Sequence, residues 1–232
     1  MYLLRYDVSG DFDIRLPADE GDLVPLAEAY IRYEATLPPA DALHDIPCVE
    51  VQAALAAVKS AQAAQLAAEA DRTSAANRWL QTSQQARTRL DRLIIRLKSR
   101  HVHNLADLGR YGLRTRLRQR GGLGVRKPAN ALDWLKFLND YLVEAGRQPE
   151  AERVTDPSFE ELTQLAETLN TALEQRIRAQ TRRQTSVRAR KAASQRLRNL
   201  LQVAAAIRIV KQYGGTVSVE LAKWGYTVVA RK

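Results

Sequence analysis

The sequence predicts a mainly α protein. It reads as an elongated helical bundle of two very long helices, about 50 residues each, and two short ones, internally duplicated, with a small N-terminal β-hairpin. Three observations carry this. Two long stretches run without Gly or Pro, from about Val49 to His103 and from Ser158 to Tyr213. Each is followed by the pattern Leu-x-x-Tyr/Trp-Gly, at Leu108–Gly112 and again at Leu221–Gly225. The composition, 45% hydrophobic but only 6% aromatic, suits helices packed through narrow Ala-rich seams. A gapless slide of one closing motif on the other pairs Leu90 with Val203, Ile94 with Ile207, Leu97 with Val210, Lys98 with Lys211 and Tyr111 with Trp224. The expected organisation is a β-hairpin arm (1–22), a first helical unit (23–113), a basic Gly-rich connector (114–128) and a second helical unit (129–232).

The elements follow in order. Residues 2–16 alternate at period two: Leu4, Tyr6 and Val8 share one face, as do Phe12, Ile14 and Leu16, and Ser9-Gly10 supplies a turn. A lone hairpin is marginal in water, so it needs a helix or a further strand, and Tyr226-Thr227-Val228-Val229 of this chain or a neighbour is the candidate. Leu23 to Leu37 predicts a short helix stopped by Pro38-Pro39. The first long helix carries a seam of Val51, Leu55, Val58, Leu66, Leu80, Leu90, Ile94 and Leu97. Ala129 to Gly146 predicts a second short helix, with Leu132, Leu135, Leu138 and Leu142 inward and Gly146 as C-cap. Ser158 and Glu161 have the spacing of a capping box at the start of the second long helix. Its seam passes through Leu162, Leu165, Leu169, Leu173, Ile177, Val187, Leu197, Leu201 and Val210, and Gly214-Gly215 ends it. Duplication predicts that the two long helices lie antiparallel, although a connector of about 50 residues is also long enough for a parallel pairing.

Ile207 to Tyr226, with its Tyr-Gly turn, Ser-x-Glu-Leu step and Trp-Gly-Tyr closure, resembles the tail of uncharacterised bacterial long-helix bundle proteins. The resemblance covers about a quarter of the chain. It implies a helical bundle and transfers no activity and no site residue.

Charge narrows the partners. Residues 1–50 hold 3 basic and 11 acidic side chains (−8), and residues 51–232 hold 33 and 15 (+18). An acidic head on a basic body predicts that the chain folds back on itself or pairs head to body between copies. Arg114, Arg116, Arg118 and Arg120 alternate, Arg126 and Lys127 follow, and no acid interrupts residues 114–128. In an extended conformation the alternating arginines share one side, suited to a phosphate backbone. A second cluster includes Arg176, Arg182, Arg183, Arg190 and Lys191, in a stretch from 175 to 200 that contains no acid. A solvated face, an acidic protein surface and nucleic acid each account for such runs, and no aromatic residues interleave to make a base-stacking platform.

Other chemistry has little support. His101 and His103 diverge on a helix, and His103 with Asp107 supplies only two metal ligands. His44 and Cys48 lack an orienting third group. Gly121-Gly122-Leu123-Gly124 matches neither phosphate-loop fingerprint and reads as a hinge. One cysteine fits a reducing compartment, and no apolar stretch reaches membrane-spanning length. The N-terminal residues have neither the basic nor the apolar region of a secretory leader. These features predict a cytoplasmic, non-enzymatic assembly protein without cofactor or metal. Its expected partners are proteins, including further copies of itself, through the long helices and the strand residues Leu4, Tyr6, Val8, Phe12, Ile14, Thr227, Val228 and Val229. The second reading is a nucleic-acid binder using the two basic clusters.

Overall fold

The computed structural model describes residues 2–4, 12–17, 19–117 and 123–230. Its order is β1 (Tyr2–Leu4), β2 (Phe12–Leu16), α1 (Glu20–Glu34), α2 (Cys48–Arg100), β3 (Arg114–Leu117), β4 (Leu123–Arg126), α3 (Ala131–Gly146), α4 (Phe159–Tyr213) and β5 (Thr227–Ala230). The closing motifs form 3-10 segments at Leu105–Tyr111 and Val219–Trp224. The two long helices have 53 and 55 residues, as the uninterrupted runs predict.

Local chemistry sets most boundaries. Asp19 and Asn130 cap α1 and α3 by accepting from the backbone N–H three residues on, at Asp22 and Asp133. The Ser158–Glu161 capping box is formed: Glu161 N donates to Ser158 Oγ (3.2 Å), and Ser158 N donates to Glu161 Oε2 (2.9 Å). Gly214 and Gly215 have φ of 60° and 93°, and Gly215 N reaches back to Ile209 O at 2.9 Å, closing the last turn of α4. Gly146, by contrast, is the last residue of α3 and keeps negative φ, so it is no left-handed cap, and Arg147 closes the helix instead.

The chain condenses into two compact units. A terminal unit takes Met1–Ala68 with Arg183–Lys232, and a central unit takes Glu69–Arg182. This division differs from two consecutive helical units, because each compact unit draws on both repeats. In the terminal unit, the first part of α2 runs antiparallel to the last part of α4 (Asp45 meets Lys211, Gln65 meets Arg190), and α1 packs on the Val219–Trp224 segment. In the central unit, the last part of α2 runs antiparallel to the first part of α4 (Arg78 meets Gln175, Arg96 meets Asp156), and α3 packs on Leu105–Tyr111. Each short helix therefore covers the closing motif of the other repeat. The strands follow the same rule. β5 pairs antiparallel with β2, whose other edge takes β1, while β3 pairs antiparallel with β4. The connector predicted at 114–128 thus contains both strands of a hairpin.

The structure also corrects the repeat register. α1 and α3 begin at Glu20 and Ala131, and α2 and α4 at Cys48 and Phe159, a common offset of 111 residues. Burial keeps that offset: Val51 with Leu162, Val58 with Leu169, Leu90 with Leu201, Leu93 with Ala204 and Ile94 with Ala205 are all at most 1% exposed. The gapless slide is right for the closing motif, where Tyr111 and Trp224 are both buried, and wrong in the helices. It pairs buried Leu90 with Val203 (48% exposed) and buried Leu97 with Val210 (58% exposed). The second long helix is two residues longer than the first, and a shift of two rotates a helical position by about 200°, to the opposite face.

Five predicted seam residues also point outward: Leu66 (73% exposed), Leu80, Leu132, Ile177 and Val210. Near the boundary of the two units small side chains occupy the seam instead, namely Ala68, Ala172 and Ala179. Larger side chains resume at Trp79 and Leu197. The inner face of α3 is Trp134, Leu135, Phe137, Leu138, Tyr141 and Ala145.

The closing glycines fix how near each short helix comes. Gly112 and Gly225 have φ of 77° and 84°. A Cβ on Gly225 would lie 2.6 Å from Ala29 Cβ, and one on Gly112 would lie 2.8 Å from Asp140 Cβ. Ala29 and Asp140 are equivalent under the 111-residue offset, so the same approach occurs twice. Gly225→Ala should cost about 2–4 kcal/mol, combining left-handed strain with the clash. Urea midpoints should show Gly225→Ala/Ala29→Gly recovering the steric part only. Equal midpoints for the single and double variants would place the whole cost in the backbone conformation.

Candidate functional site

The core of the terminal unit holds a buried charge pair, Arg208 with Glu34. Arg208 is 0% exposed, and its Nε donates to Glu34 Oε1 at 3.0 Å while a terminal nitrogen also reaches that oxygen. Arg208 Nη1 donates to Asp41 O (3.3 Å) and Trp224 Nε1 donates to Glu34 Oε1 (2.7 Å). The guanidinium carbon lies 4.3 Å from the Trp224 ring centroid. Nearby, burial first and Glu34 second push the Tyr30 hydroxyl above its ordinary range, and Tyr226 Oη donates to Leu201 O at 2.7 Å. At the equivalent places the central unit has Leu97, Ala145 and Tyr111, all buried. One scaffold thus supports an ion pair in one unit and a hydrocarbon contact in the other. The pair is structural: it ties α1 of the first repeat to α4 of the second.

Two open clefts occur at equivalent positions, each between a hairpin strand, the start of a short helix and the closing glycine. The terminal cleft, about 690 Å³, includes Arg15, Leu16, Asp22, Pro25, Ala29 and Thr227 in its lining. The central cleft, about 620 Å³, includes Arg126, Lys127, Asp133, Lys136, Asp140 and Arg114 at the same places. The strand registers establish the match, because Arg15 lies opposite Thr227 as Arg126 lies opposite Arg114. A third groove, also about 620 Å³, runs along α4 in the terminal unit past Ala192, Arg196, Asn199, Leu200 and Val203, with Ile46 and Glu50 on its other side.

The basic residues singled out in the sequence divide into three groups. Arg114, Arg116, Arg126 and Lys127 are exposed at the central hairpin, where Lys127 Nζ meets Asp91 Oδ1 at 2.5 Å. Arg118 and Arg120 lie outside the described residues. On α4, Arg176, Arg182 and Lys191 are exposed, with Arg182 3.8 Å from Asp71, and Arg183 is half-buried. Arg190 is committed within the fold. Its Nε donates to Glu20 Oε2 at 2.5 Å and its Nη1 to Gln65 Oε1 at 3.2 Å. Of that second cluster, Arg176 and Arg182 belong to the central unit and Arg183, Arg190 and Lys191 to the terminal unit.

The described candidate assembly strands pair with one another within the chain, with β1 and β5 as the outer strands of the sheet. Ile14 lies opposite both Leu4 and Val228, Phe12 opposite Ala230, Val229 opposite Asp13 and Thr227 opposite Arg15. β2 is therefore the central strand of the sheet, flanked by β1 and β5. Tyr6 and Val8 lie outside the described residues.

His101, not His103, faces Asp107, with Nδ1 to Oδ2 at 3.9 Å, and it packs 5.7 Å from the Tyr111 ring. Among the described residues no group of three or more His, Cys, Asp or Glu could hold a metal ion. Burial first, then Glu34, raises the Cys48 thiol above its ordinary range, which disfavours the reactive thiolate. No helix among the described residues is long and apolar enough to cross a membrane. Compared with known proteins, the chain matches no family model, no curated protein and no solved structure.

Two outcomes are expected. Arg208→Leu strands the Glu34 carboxylate in the core and should cost about 3–5 kcal/mol. Arg208→Leu/Glu34→Ala, which installs the residues of the central unit, should recover a large part in a denaturant double-mutant cycle. Glu20 gives a pH signature. Burial raises its pKa, but hydrogen bonds from Ser194, Arg190 and Gln62 outweigh that and hold the carboxyl below the usual glutamate value of 4.5. The stability it contributes is therefore present above that value and lost as pH falls through the lowered one. Stability measured from pH 6 to 3 should fall less steeply for Glu20→Gln than for wild type.

Proposed function

We propose that the protein is a non-enzymatic assembly subunit whose contacts with a second copy run along the outer face of α4 in the terminal unit. The observation that carries this reading is a stripe at alternating spacings of four and three: Ala192, Arg196, Asn199, Val203, Ala206 and Val210. Val203 and Val210 are 48% and 58% exposed, and half-buried Leu200 and Ile207 flank them. Such spacing keeps one seam facing a partner helix, and the side of α4 opposite the stripe is already committed to the core through Leu197, Leu201, Ala204 and Ala205. The groove beside it carries both signs of charge, with Asp45, Glu50 and Arg196 in its lining, which suits a surface meeting its own copy. An apolar seam of this kind gives an association that tolerates salt, unlike one built on surface charge.

In sedimentation at tens of micromolar, wild type should run as a dimer or larger species at both about 0.1 and 0.5 M salt. Val203→Glu/Val210→Glu should run as a monomer with an unchanged far-UV circular dichroism spectrum, since both side chains lie outside the core, and with a midpoint that no longer depends on protein concentration. A wild-type monomer under these conditions would rule out the reading.

A further inference from the structure

The duplication supplies an internal reference for the central cleft. Both clefts rest on the same parts: two paired antiparallel strands, a capped short helix and a closing glycine seated on that helix. Among its described lining residues the terminal cleft has a single cation, Arg15. The central cleft keeps its equivalent, Arg126, and adds three more where the terminal cleft has neutral residues: Arg114 for Thr227, Lys127 for Leu16 and Lys136 for Pro25. Arg116, where β5 has Val229, extends the row along β3. The fold does not require these charges, because the terminal unit forms the same arrangement without them.

Several of them oppose folding. Arg114 lies directly opposite Arg126, and like charges facing each other across a strand pair are unfavourable. Lys127 alone of the five meets a carboxylate, Asp91, at salt-bridge distance, and both side chains remain partly exposed. The acids in the lining, Asp133 and Asp140, lie on the α3 side: Asp133 accepts from Asn130 Nδ2 at 2.8 Å, and Asp140 sits under Gly112. The charged residues of the lining on the strand side, Arg114, Arg126 and Lys127, are all basic.

We infer that the central cleft binds the phosphodiester backbone of a nucleic-acid strand through Arg114, Arg116, Arg126 and Lys136. Arg114 and Arg116 are two residues apart on one strand face, about 7 Å, so successive guanidiniums meet successive groups of a linear polyanion. Each guanidinium presents a fork of donors that fits the oxygens of a phosphate, and Arg holds its charge at any physiological pH. Phe137, the aromatic residue in the lining, is 1% exposed and offers no face for base stacking, so recognition is of backbone and independent of sequence. Four phosphate contacts predict a logarithmic salt slope of about −3 to −4.

The test titrates fluorescent 20-nucleotide strands, single and duplex, DNA and RNA, with full-length protein from about 50 to 300 mM salt. Wild type should bind at the low end and show that slope. Arg114→Gln/Arg126→Gln/Lys136→Gln should bind at least tenfold more weakly at about 100 mM salt, with a slope smaller by about 2–3. Arg15→Gln, at the equivalent place in the terminal cleft, should bind like wild type. All three side chains replaced in the central variant are exposed, so its unfolding midpoint should be no lower than wild type, and Arg126→Gln alone serves as a milder second variant. The inference fails if no strand binds at about 50 mM salt, if the central variants bind like wild type, or if Arg15→Gln weakens binding as much as they do. It also fails if polyglutamate of equal charge competes as well as the oligonucleotide, which would mark an acidic-protein surface. Because none of the substituted residues lies on α4, sedimentation of the same variants separates this inference from self-association.

Discussion

The crossing of the repeats at the two closing glycines is the constraint on which the rest of the structure depends. A short helix can pack on a closing motif only where the motif has no side chain, and Gly225 over Ala29 and Gly112 over Asp140 are those places. In each case helix and motif come from different repeats. A repeat by itself would leave its short helix, its closing motif and its end strands without partners. The hydrophobic residues of each repeat are therefore only half a core, and the duplication is needed to bury them.

This has a consequence for assembly of the fold. The central unit is one continuous stretch, Glu69–Arg182, whereas the terminal unit joins Met1–Ala68 to Arg183–Lys232. Closing a loop costs entropy that grows slowly with length, and contacts distant in sequence form more slowly. The central unit can form from its own stretch, and its antiparallel α2 and α4 segments then shorten the effective loop that the terminal unit must close. The Arg208–Glu34 pair fits this order. It joins residues far apart in sequence in the unit that closes the longer loop, where a specific buried contact discriminates best between the native pairing and a slipped one. The central unit, with Leu97 and Ala145 at the same places, has less need of that discrimination.

Much of this was legible in the sequence. Uninterrupted runs gave the long helices, Ser158 and Glu161 gave a true capping box, and Gly214-Gly215 gave a true stop. The alternation of residues 2–16 calls for a further strand, and Tyr226–Val229 is one candidate for it, from this chain or a neighbour; the structure pairs β5 with β2 inside the chain. The repeat register did not follow, because on an Ala-rich helix Leu90 finds an apolar match at both Leu201 and Val203, and only burial tells them apart. A better anchor was present: Arg15-Leu-Pro-Ala-Asp and Arg126-Lys-Pro-Ala-Asn share their spacing, and both end in the residue that caps a helix. The clefts were hidden for a related reason. Their lining is assembled from a strand and a short-helix start on one side and a closing glycine from the other repeat, so no local motif announces them.

The charge asymmetry of the sequence resolves in the same terms. The acidic head folds back within the chain: Glu20 meets Arg190, Glu28 meets Lys59, Glu34 meets Arg208 and Asp45 meets Lys211, all inside the terminal unit. That unit holds 15 basic and 12 acidic side chains, a net +3, while the central unit holds 21 and 14, a net +7. Most of the excess thus falls in the unit that has no acidic head. Within it, among the described residues, four exposed cations gather at the central hairpin and one more, Lys136, lies on α3. Solvated charge spread over a helix needs no partner, because water screens each one separately. Arginines placed opposite one another on a two-stranded ribbon repel at short range, and an anion between them turns that repulsion into binding. That difference in geometry, more than the total charge, separates the hairpin from the arginines of α4.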